Sequence, residues 1–320
     1  MLINALILGA RGAVGRVIAD DLRRQGHRVT PAGRRMTPGG LQLDLAAPGG
    51  ADALAAAAAD HDVVVNASGV EDPALATLVG ATPLVDISAT GSYLDALADT
   101  ARDTPSTTGR PAATIVLGAG LVPGLSTLLI ADLEPRAGDQ IDLAVVLGSG
   151  EQHGPAAVEW TAGLAGRDLH SPPETTVVRN LRERRRLAGP HGERAYLRAD
   201  FPDHVLVGRP GDFAVRSYLA LTSPLATAAL GLVGRFPPLR GLISRAPHLG
   251  GDGWSLAAID RRTGETRSAR GAGQSRATGL LAARAALAAA ASPSRGPVPM
   301  SALLTLDDVA DIARAATSRA

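Results

Sequence analysis

The first third of the chain alternates short apolar runs with amphipathic stretches. Strands of a parallel sheet are buried on both faces, so they appear as continuous runs of Val, Leu and Ile. The amphipathic stretches between them have helical spacing. This alternation predicts βαβ units and a parallel sheet. The predicted strands are Ile3–Leu8, Arg28–Pro31, Leu41–Leu43, Val63–Asn66, Leu84–Ile87 and Thr114–Leu117. The predicted helices are Val14–Gln25, Ala51–Ala59, Pro73–Val79 and Tyr93–Arg102.

After Pro123 the pattern becomes mixed and more β-like. Glycine, proline and charged turns separate shorter segments, and a Pro190-His191-Gly192 tip indicates a hairpin. The predicted strands are Ile141–Leu147, the two arms of this hairpin in Thr175–Leu187 and in Arg194–Arg198, and then Ser255–Asp260 and Thr266–Arg270. The predicted helices are Leu125–Leu133, Pro155–Leu164, two short ones in Leu225–Leu242, Arg276–Ala291 and Leu306–Thr317.

The composition excludes several kinds of chemistry. All 32 basic residues are Arg, and the chain has no Lys and no Cys. Without Lys there is no Schiff base and no P-loop lysine. Without Cys there is no thiol nucleophile, disulfide or thiolate metal site. Such complete use of Arg is typical of a GC-rich coding bias, so a single arginine carries less functional weight than usual.

The charge balance and the hydropathy pattern bear on partners. The 32 basic and 31 acidic residues give a net charge of +1, which favours neither a nucleic acid nor an anionic membrane as a partner. No apolar run approaches the roughly 20 residues that cross a bilayer, and the first residues lack the basic region of a signal peptide. We therefore expect a soluble cytoplasmic protein with no membrane partner and a small-molecule substrate. The seven histidines have no HxxxH or HxH spacing, so no metal site is predicted.

A glycine-rich segment joins the first predicted strand to the first predicted helix. It runs Gly9, Ala10, Arg11, Gly12, Ala13, Val14 and Gly15. In a dinucleotide fingerprint the first glycine permits a tight turn, the second lets the backbone approach a pyrophosphate, and the third allows close helix packing. The phosphates then lie at the helix N-terminus. The strand before the segment and the helix after it are the context that this motif requires.

The end of the second predicted strand indicates which dinucleotide is bound. An NAD enzyme places Asp or Glu there for the ribose 2′-hydroxyl, whereas this chain has Arg34 and Arg35. Arg34, helped by Arg11 or Arg35, can pair with a 2′-phosphate, which favours NADP. Asp44, after the third predicted strand, is expected near the adenine.

Small and polar residues follow the later strands of the predicted sheet. In doubly wound folds the ligand lies at the carboxyl ends of the strands. These ends carry Asn66, Ala67, Ser68 and Gly69, then Asp86 and Ser88, and then Gly118 and Gly120. We expect them to form the floor of a nicotinamide site, although Asp86 could instead cap the loop after its strand.

With these motifs the chain resembles the saccharopine dehydrogenase-like oxidoreductases, a family of Rossmann-fold NAD(P) enzymes. The resemblance depends on GARGAVG, DVVVNASG, VDISAT, GAGLVPGLSTLLIADL and GQSRATGLLAARAAL. It implies an α/β fold, with a doubly wound parallel sheet and a second α+β domain inserted before the C-terminal helices. Residues 1–122 and 272–320 would form the NADP-binding domain, and 123–271 a substrate and dimerisation domain, hence a homodimer. Some members of the family reduce an imine formed between an amine and a carbonyl compound, and others reduce different C=N or C=C bonds.

Hydride addition leaves an atom that needs a proton, so an acid is expected near the nicotinamide. A polar, glycine-flanked loop after Leu147 offers His153 as the first candidate and Glu151 as the second. Tyr93 in the first domain is the third. The alternative for His153 is an ordinary hydrogen-bonded loop histidine. The leading hypothesis is thus an NADP-dependent reductase of a C=N bond. The alternatives are reduction of an activated C=C or C=O bond, or an NADP-binding sensor without catalysis.

Overall fold

The computed structural model describes residues 1–35, 39–103, 113–148, 150, 155–190, 192–245 and 251–319. Within these ranges the strands are β1 (Asn4–Leu8), β2 (Arg28–Gly33), β3 (Leu41–Gln42), β4 (Val63–Asn66), β5 (Leu84–Asp86), β6 (Thr114–Leu117), β7 (Gln140–Leu147), β8 (Arg184–Gly189), β9 (Gly192–Arg198), β10 (Ala214–Leu221), β11 (Gly253–Asp260), β12 (Glu265–Ala272), β13 (Gly296–Pro299) and β14 (Arg314–Arg319). The α-helices are α1 (Ala13–Arg24), α2 (Gly50–Ala59), α3 (Leu75–Leu78), α4 (Gly91–Asp103), α5 (Leu125–Ala131), α6 (Pro155–Leu164), α7 (Pro224–Arg235) and α8 (Gln274–Ala291). Short 3-10 helices cover Pro237–Arg245, Met300–Ala302 and Asp307–Val309, and a π-helical turn covers His204–Gly208.

The chain divides into two compact units. The first comprises Met1–Leu125 and Thr278–Leu304, and the second Ser126–Ala277 and Thr305–Ala320. Each unit therefore consists of two chain segments that are separated in sequence. The expected boundaries placed 1–122 and 272–320 in the first domain. The observed division differs from them at 123–125, at 272–277 and at 305–320.

The first unit contains a seven-stranded sheet in the order β13-β6-β5-β4-β1-β2-β3. All its strand pairs are parallel. From β1, the strands β2 and β3 are added on one side and β4, β5 and β6 on the other. The position between β1 and β4 is therefore the topological switch of a doubly wound, Rossmann-type fold. The predicted α/β class is thus confirmed. Consecutive valines explain the centre of the sheet, since Val63, Val64 and Val65 are each fully buried.

Helices of the first unit follow the predicted amphipathic pattern. In α1, Ile18, Ala19 and Leu22 are buried, and the helix ends where Gly26 adopts a positive φ of 86°. The late helix α8 packs on α1, because a Cβ added at Gly279 would lie 2.6 Å from Val17 Cβ. β13 was not predicted from the sequence. Its two prolines suit an edge strand, and it pairs only with β6.

The second unit contains a mixed seven-stranded sheet in the order β14-β12-β11-β7-β10-β9-β8. Its β7–β10 pair is parallel, and the other pairs are antiparallel. Alternate residues line one face, where Ala144, Tyr196, Tyr218 and Ala257 belong to one buried apolar cluster. The hairpin predicted around residues 190–192 is present as β8 and β9, and the predicted pair of short helices is α7 and the following 3-10 helix.

The predicted helix Leu306–Thr317 is wrong. This segment forms a 3-10 turn and then β14, which pairs along β12 from Glu265–Arg319 to Arg270–Arg314. Pairing with the open edge of β12 outweighs the modest helical preference of an Ala-rich segment. This pairing also explains why the end of the chain belongs to the second unit.

Candidate dinucleotide site

One row of residues ends the central strands of the parallel sheet. Leu8 pairs with both Ala32 and Asn66, Asn66 pairs with Asp86, and Asp86 pairs with Leu117. The loops that follow β1, β2, β4, β5 and β6 therefore leave the sheet at one level. Most residues predicted to bind the cofactor lie in or directly before these loops. The exceptions are Asp44 after β3 and, in the first turn of α1, Ala13, Val14 and Gly15.

The glycine-rich loop lies at the switch point and is close-packed. Gly9 has a φ of 77°, and a Cβ there would lie 2.4 Å from the Ala67 carbonyl oxygen. A Cβ at Gly15 would lie 2.3 Å from the Gly9 carbonyl oxygen. The backbone of this loop thus contacts the β4 loop directly. This geometry leaves no room for side chains at either position.

Gly12 is the N-cap of α1 and lacks a side-chain cap. Its own N–H donates to the Gly9 carbonyl at 2.9 Å, which closes the turn. The first N–H groups of an α-helix, here those of Ala13, Val14 and Gly15, have no partner within the helix. Together with the helix dipole they form a site for an anion such as a phosphate.

One arginine lies in this loop and two follow the neighbouring strand β2. The Gly9 N–H donates to the Ala32 carbonyl at 2.9 Å, which holds the β1 loop beside the end of β2. Arg11, Arg34 and Arg35 are exposed. Among the described residues, none of their side chains has a hydrogen bond or an ion pair. Asp44 lies half-buried in the β3 loop, where its carboxylate accepts from the Ala46 N–H at 3.1 Å.

The predicted nicotinamide floor is a hydrogen-bonded network centred on Asp86. This fully buried carboxylate accepts from Asn66 Nδ2 at 2.7 Å, the Ser88 N–H at 2.7 Å and the Tyr93 hydroxyl at 2.8 Å. Asn66 Oδ1 in turn accepts from the Ser68 hydroxyl at 2.6 Å. Burial raises the pKa of Asp86, and these hydrogen bonds oppose that rise. The network fixes the loops after β4 and β5 to each other. Asp86 thus has the structural role considered for it above.

The turn after β6 requires glycine at position 118 and brings Gly120 into contact with the same proline, Pro123. Gly118 has a φ of 69°, and a Cβ there would lie 2.2 Å from Pro123 Cγ. The Gly120 N–H donates to the Pro123 carbonyl at 2.9 Å. Both glycines are buried. They shape the turn after β6, so their presence does not by itself require a cofactor.

Of the three proton-donor candidates, Tyr93 lies within the described residues. His153 and Glu151 lie outside the described residues. Tyr93 is buried, and its hydroxyl donates to Asp86. Burial and the adjacent carboxylate raise the pKa of Tyr93 well above its ordinary value. This environment makes its proton hard to remove.

Sequence reasoning missed Glu71, which lies on the loop after β4. It is hydrogen-bonded to Thr90 on the loop after β5, and it lies close enough to Asp86 to be affected by that charge. Desolvation raises the pKa of the Glu71 carboxyl, and the Asp86 charge adds to the rise. An acidic residue five positions after the last residue of β4 was the available signal, because such loops border the ligand in doubly wound folds.

A cleft of about 450 Å³ lies elsewhere in the first unit. Its lining includes Asn4, Thr30 and His61, so it reaches the amino end of β1. The two ring nitrogens of His61 are engaged by the Ala57 carbonyl at 2.6 Å and Thr30 Oγ1 at 2.8 Å. Within the described ranges, no group of three or more His, Asp or Glu is placed to hold a metal ion. In the same ranges, no helix combines the length and apolarity needed to cross a membrane.

No protein-family model and no curated protein matches the chain. Among solved structures it is similar to a mutant meso-DAPDH with DAP from Clostridium tetani E88, with 11% identity, a TM-score of 0.46 and 96% of each chain covered. It is also similar to aspartate semialdehyde dehydrogenase II from Vibrio cholerae, with 10% identity, a TM-score of 0.36, and 81% of this chain and 74% of that chain covered. A putative NADH-flavin reductase from Streptococcus pneumoniae TIGR4 has 19% identity and a TM-score of 0.23; the match covers 33% of this chain and only 58% of that protein. With such low values these likenesses assign no activity to the chain.

Proposed function

We propose that this chain is an NADP-dependent oxidoreductase that reduces a C=N bond of a small metabolite. The observation that carries the proposal is the glycine loop between β1 and α1 at the switch point of the parallel sheet. The close approach of Gly9 to Ala67, the uncapped N-terminus of α1 and the three unpaired arginines fit a dinucleotide with an additional phosphate. Bound NADPH would supply the hydride.

In this proposal the chain's own residues bind and orient the cofactor. The α1 N–H groups hold the pyrophosphate, Arg34 pairs with the 2′-phosphate with help from Arg11 or Arg35, and Asp44 borders the adenine. Asn66, Ala67, Ser68, Gly69, Ser88, Gly118 and Gly120 line the nicotinamide end. The Asp86 network holds two of these loops in place.

The C=N specificity rests on the resemblance to saccharopine dehydrogenase-like enzymes, which stays part of the proposal, as do the homodimer and the cytoplasmic location. Reduction of an activated C=C or C=O bond is the alternative reaction, and an NADP sensor is the alternative function. Oxidation of NADPH by a panel of imines, enones and aldehydes distinguishes them. An imine substrate supports the proposal, whereas NADPH binding without turnover on any of them supports a sensor.

Arg34 provides the sharpest test of cofactor choice. We expect the parent protein to bind NADPH more tightly than NADH, and Arg34→Asp to erase or reverse this preference. The loss corresponds to about 1.5 to 3 kcal/mol for a charge-assisted hydrogen bond. The matched control is Arg28→Asp, at the exposed amino end of the same strand, which should leave both affinities unchanged. Equal affinities of the parent protein for the two cofactors would contradict the NADP assignment.

The proton donor is tested by comparing four variants once a substrate is known. We expect His153→Ala to lower turnover about 100-fold or more and to leave NADPH affinity unchanged. Glu151→Gln tests the second candidate, and Tyr93→Phe should retain turnover because the Tyr93 proton is held by Asp86. Full activity of the His153 and Glu151 variants, with loss in Glu71→Gln, would assign the role to Glu71.

A further inference from the structure

The helix α7 belongs to the second unit. It is apolar on the side that packs against the rest of this unit and also on the opposite side. On its inner side Thr227, Leu230 and Val233 are buried. Gly234 lies against Leu181, where an added Cβ would be 2.5 Å from Leu181 Cβ. The packing of this inner side accounts for the position of the helix.

The outer side of α7 is exposed in the described part of the chain. Leu225 is 82% exposed, and Leu232 and Phe236 are each 52% exposed. Ala228 and Ala229 between them are also exposed. Leu225, Ala228, Ala229 and Leu232 follow the i, i+3, i+4 and i+7 spacing of one helical stripe, and Phe236 is the C-cap residue directly after α7. Three of the seven large hydrophobic side chains that stand exposed in the described chain therefore belong to these five residues. We call the five residues the α7 stripe.

The charged residues in the chain segment that carries the α7 stripe all have one sign. The segment from Thr222 to Arg245 contains three arginines and no Asp or Glu. This contrasts with the whole chain, where 32 basic residues balance 31 acidic ones. Arg235 and Arg240 are exposed, and Arg235 lies at the same end of α7 as Phe236. The patch thus combines apolar side chains, one aromatic ring and positive charge.

This combination fits an anionic lipid surface better than a second copy of the chain. An interfacial helix buries Leu and Phe side chains at the boundary of the acyl chains, while neighbouring arginines pair with anionic headgroups. A symmetric dimer through the α7 stripe would bury the same segment of both copies against each other. The arginines of this segment would then meet no acidic residue from it, because the segment contains none.

We propose that the α7 stripe, with Arg235 and Arg240, binds the surface of an anionic phospholipid bilayer. The helix lies along the surface and does not span the bilayer. The sequence-based expectation of no membrane partner rested on the net charge of the whole chain as well as on spanning segments and signal peptides. Surface binding depends instead on the local charge beside one exposed helix face. The inference is independent of the proposed redox function, because it uses no residue of the dinucleotide site.

The test is sedimentation of the full-length protein with vesicles of phosphatidylcholine alone or of phosphatidylcholine with phosphatidylglycerol. We expect binding to the anionic vesicles that weakens as salt is raised. The double variant Leu232→Glu/Phe236→Glu should abolish it. Arg235→Gln/Arg240→Gln should lower the partition coefficient about 30-fold, since each arginine near the surface contributes about 1 kcal/mol.

Val177→Glu is the matched control, because Val177 is 74% exposed elsewhere in the second unit. It should bind vesicles like the parent protein. Unchanged thermal unfolding and NADPH binding show that the stripe variants are folded. Absence of vesicle binding by the parent protein overturns the proposal. So does a dimer in light scattering that Leu232→Glu/Phe236→Glu converts to a monomer, since the stripe would then be a self-association surface.

Discussion

Each of the two compact units buries an aspartate completely, and the two carboxyl groups have opposite surroundings. In the first unit Asp86 accepts hydrogen bonds from Asn66, Ser88 and Tyr93. In the second unit Asp203 Oδ1 accepts from the Ser126 hydroxyl at 2.5 Å, whereas Oδ2 has no partner among the described residues. Burial raises the pKa of both groups, that of Asp203 to about 6.

The difference shows two uses of a buried acid. Donors converge on Asp86 from the β4 loop, the β5 loop and α4, so its carboxylate connects the segments that border the candidate cofactor site. The surroundings of Asp203 do not compensate a charge, so this group favours its neutral form. We infer that the first unit uses a buried carboxylate to hold its loops, whereas the second unit loses stability when Asp203 ionises.

The largest expected effect is that of Asp86→Ala. The change leaves the Asn66 amide, the Ser88 N–H and the Tyr93 hydroxyl without their acceptor, and each unsatisfied buried donor costs about 1 kcal/mol or more. We expect the free energy of unfolding to fall by about 3 kcal/mol or more in urea titrations. Asp20→Ala is the control. Asp20 is exposed, and its carboxylate makes a weak ion pair with Arg23 at the long distance of 3.9 Å. Equal effects of the two variants would show that the Asp86 network does not stabilise the unit.

Asp203→Asn is expected to stabilise the protein at high pH. A carboxyl whose pKa rises from 3.8 to about 6 on folding binds its proton more tightly in the folded state. Its contribution to stability is therefore full below about pH 4 and is lost as the pH rises to about 6. The asparagine has no such loss. The stability of the variant relative to the parent should rise by about 2 kcal/mol between pH 4 and pH 8.

Urea unfolding of both proteins across this range measures the difference, in which every group that the two proteins share cancels to first order. A difference that stays constant from pH 4 to pH 8 would mean that Asp203 is ionised in the folded state throughout. The two buried aspartates would then not differ as the hydrogen bonds indicate.

The parallel sheet and its glycine loop could be predicted from the sequence because their signals are local. Continuous valine runs, helical spacing and the Gly9-to-Gly15 segment each reflect neighbours in the chain. The buried aspartates could not be predicted in the same way. Ser126 and Asp203 are 77 positions apart, and Asn66 and Asp86 are 20 apart, so their pairing depends on the fold.

The end of the chain shows the same limit more strongly. Residues 306–317 are rich in Ala and begin with Asp307 and Asp308, which suit a helix N-terminus, so the sequence alone favours a helix. The strand β14 forms because β12, more than 40 positions earlier, offers an unpaired edge. Glu71 was missed for a related reason, since its relation to Thr90 and Asp86 exists only after β4 and β5 pair.

A smaller effect is expected for Tyr93→Phe. This variant removes one of the donors to Asp86 and leaves the ring in place, so it should lower the free energy of unfolding by about 1 to 2 kcal/mol. A loss close to that of Asp86→Ala would show that Tyr93 is the main donor. No loss at all would show that Asn66 and Ser88 suffice.

The smallest expected effect concerns the arginines of β8 and of the residues just before it; β8 is an edge strand of the second unit. Arg182, Arg184 and Arg186 are exposed, whereas Arg185 points inward, 3.2 Å from the buried Asp142 carboxylate. Changing the three outer arginines to Gln should alter the free energy of unfolding by less than about 0.5 kcal/mol, because exposed charges contribute little. Arg185→Gln, as the comparison, should cost more, since it removes a partner of a buried acid.

Solubility is where the triple variant should differ from the parent protein, because charged side chains protect an open strand edge from pairing with another chain. We expect more aggregation in light scattering at equal concentration, and unchanged kinetics once a substrate is known. A rise in KM that shrinks as salt is raised would instead mean that these arginines attract an acidic substrate or partner. The exposed face of β8 would then have a role in recognition, and the second unit would use its surface charge as well as its buried charge.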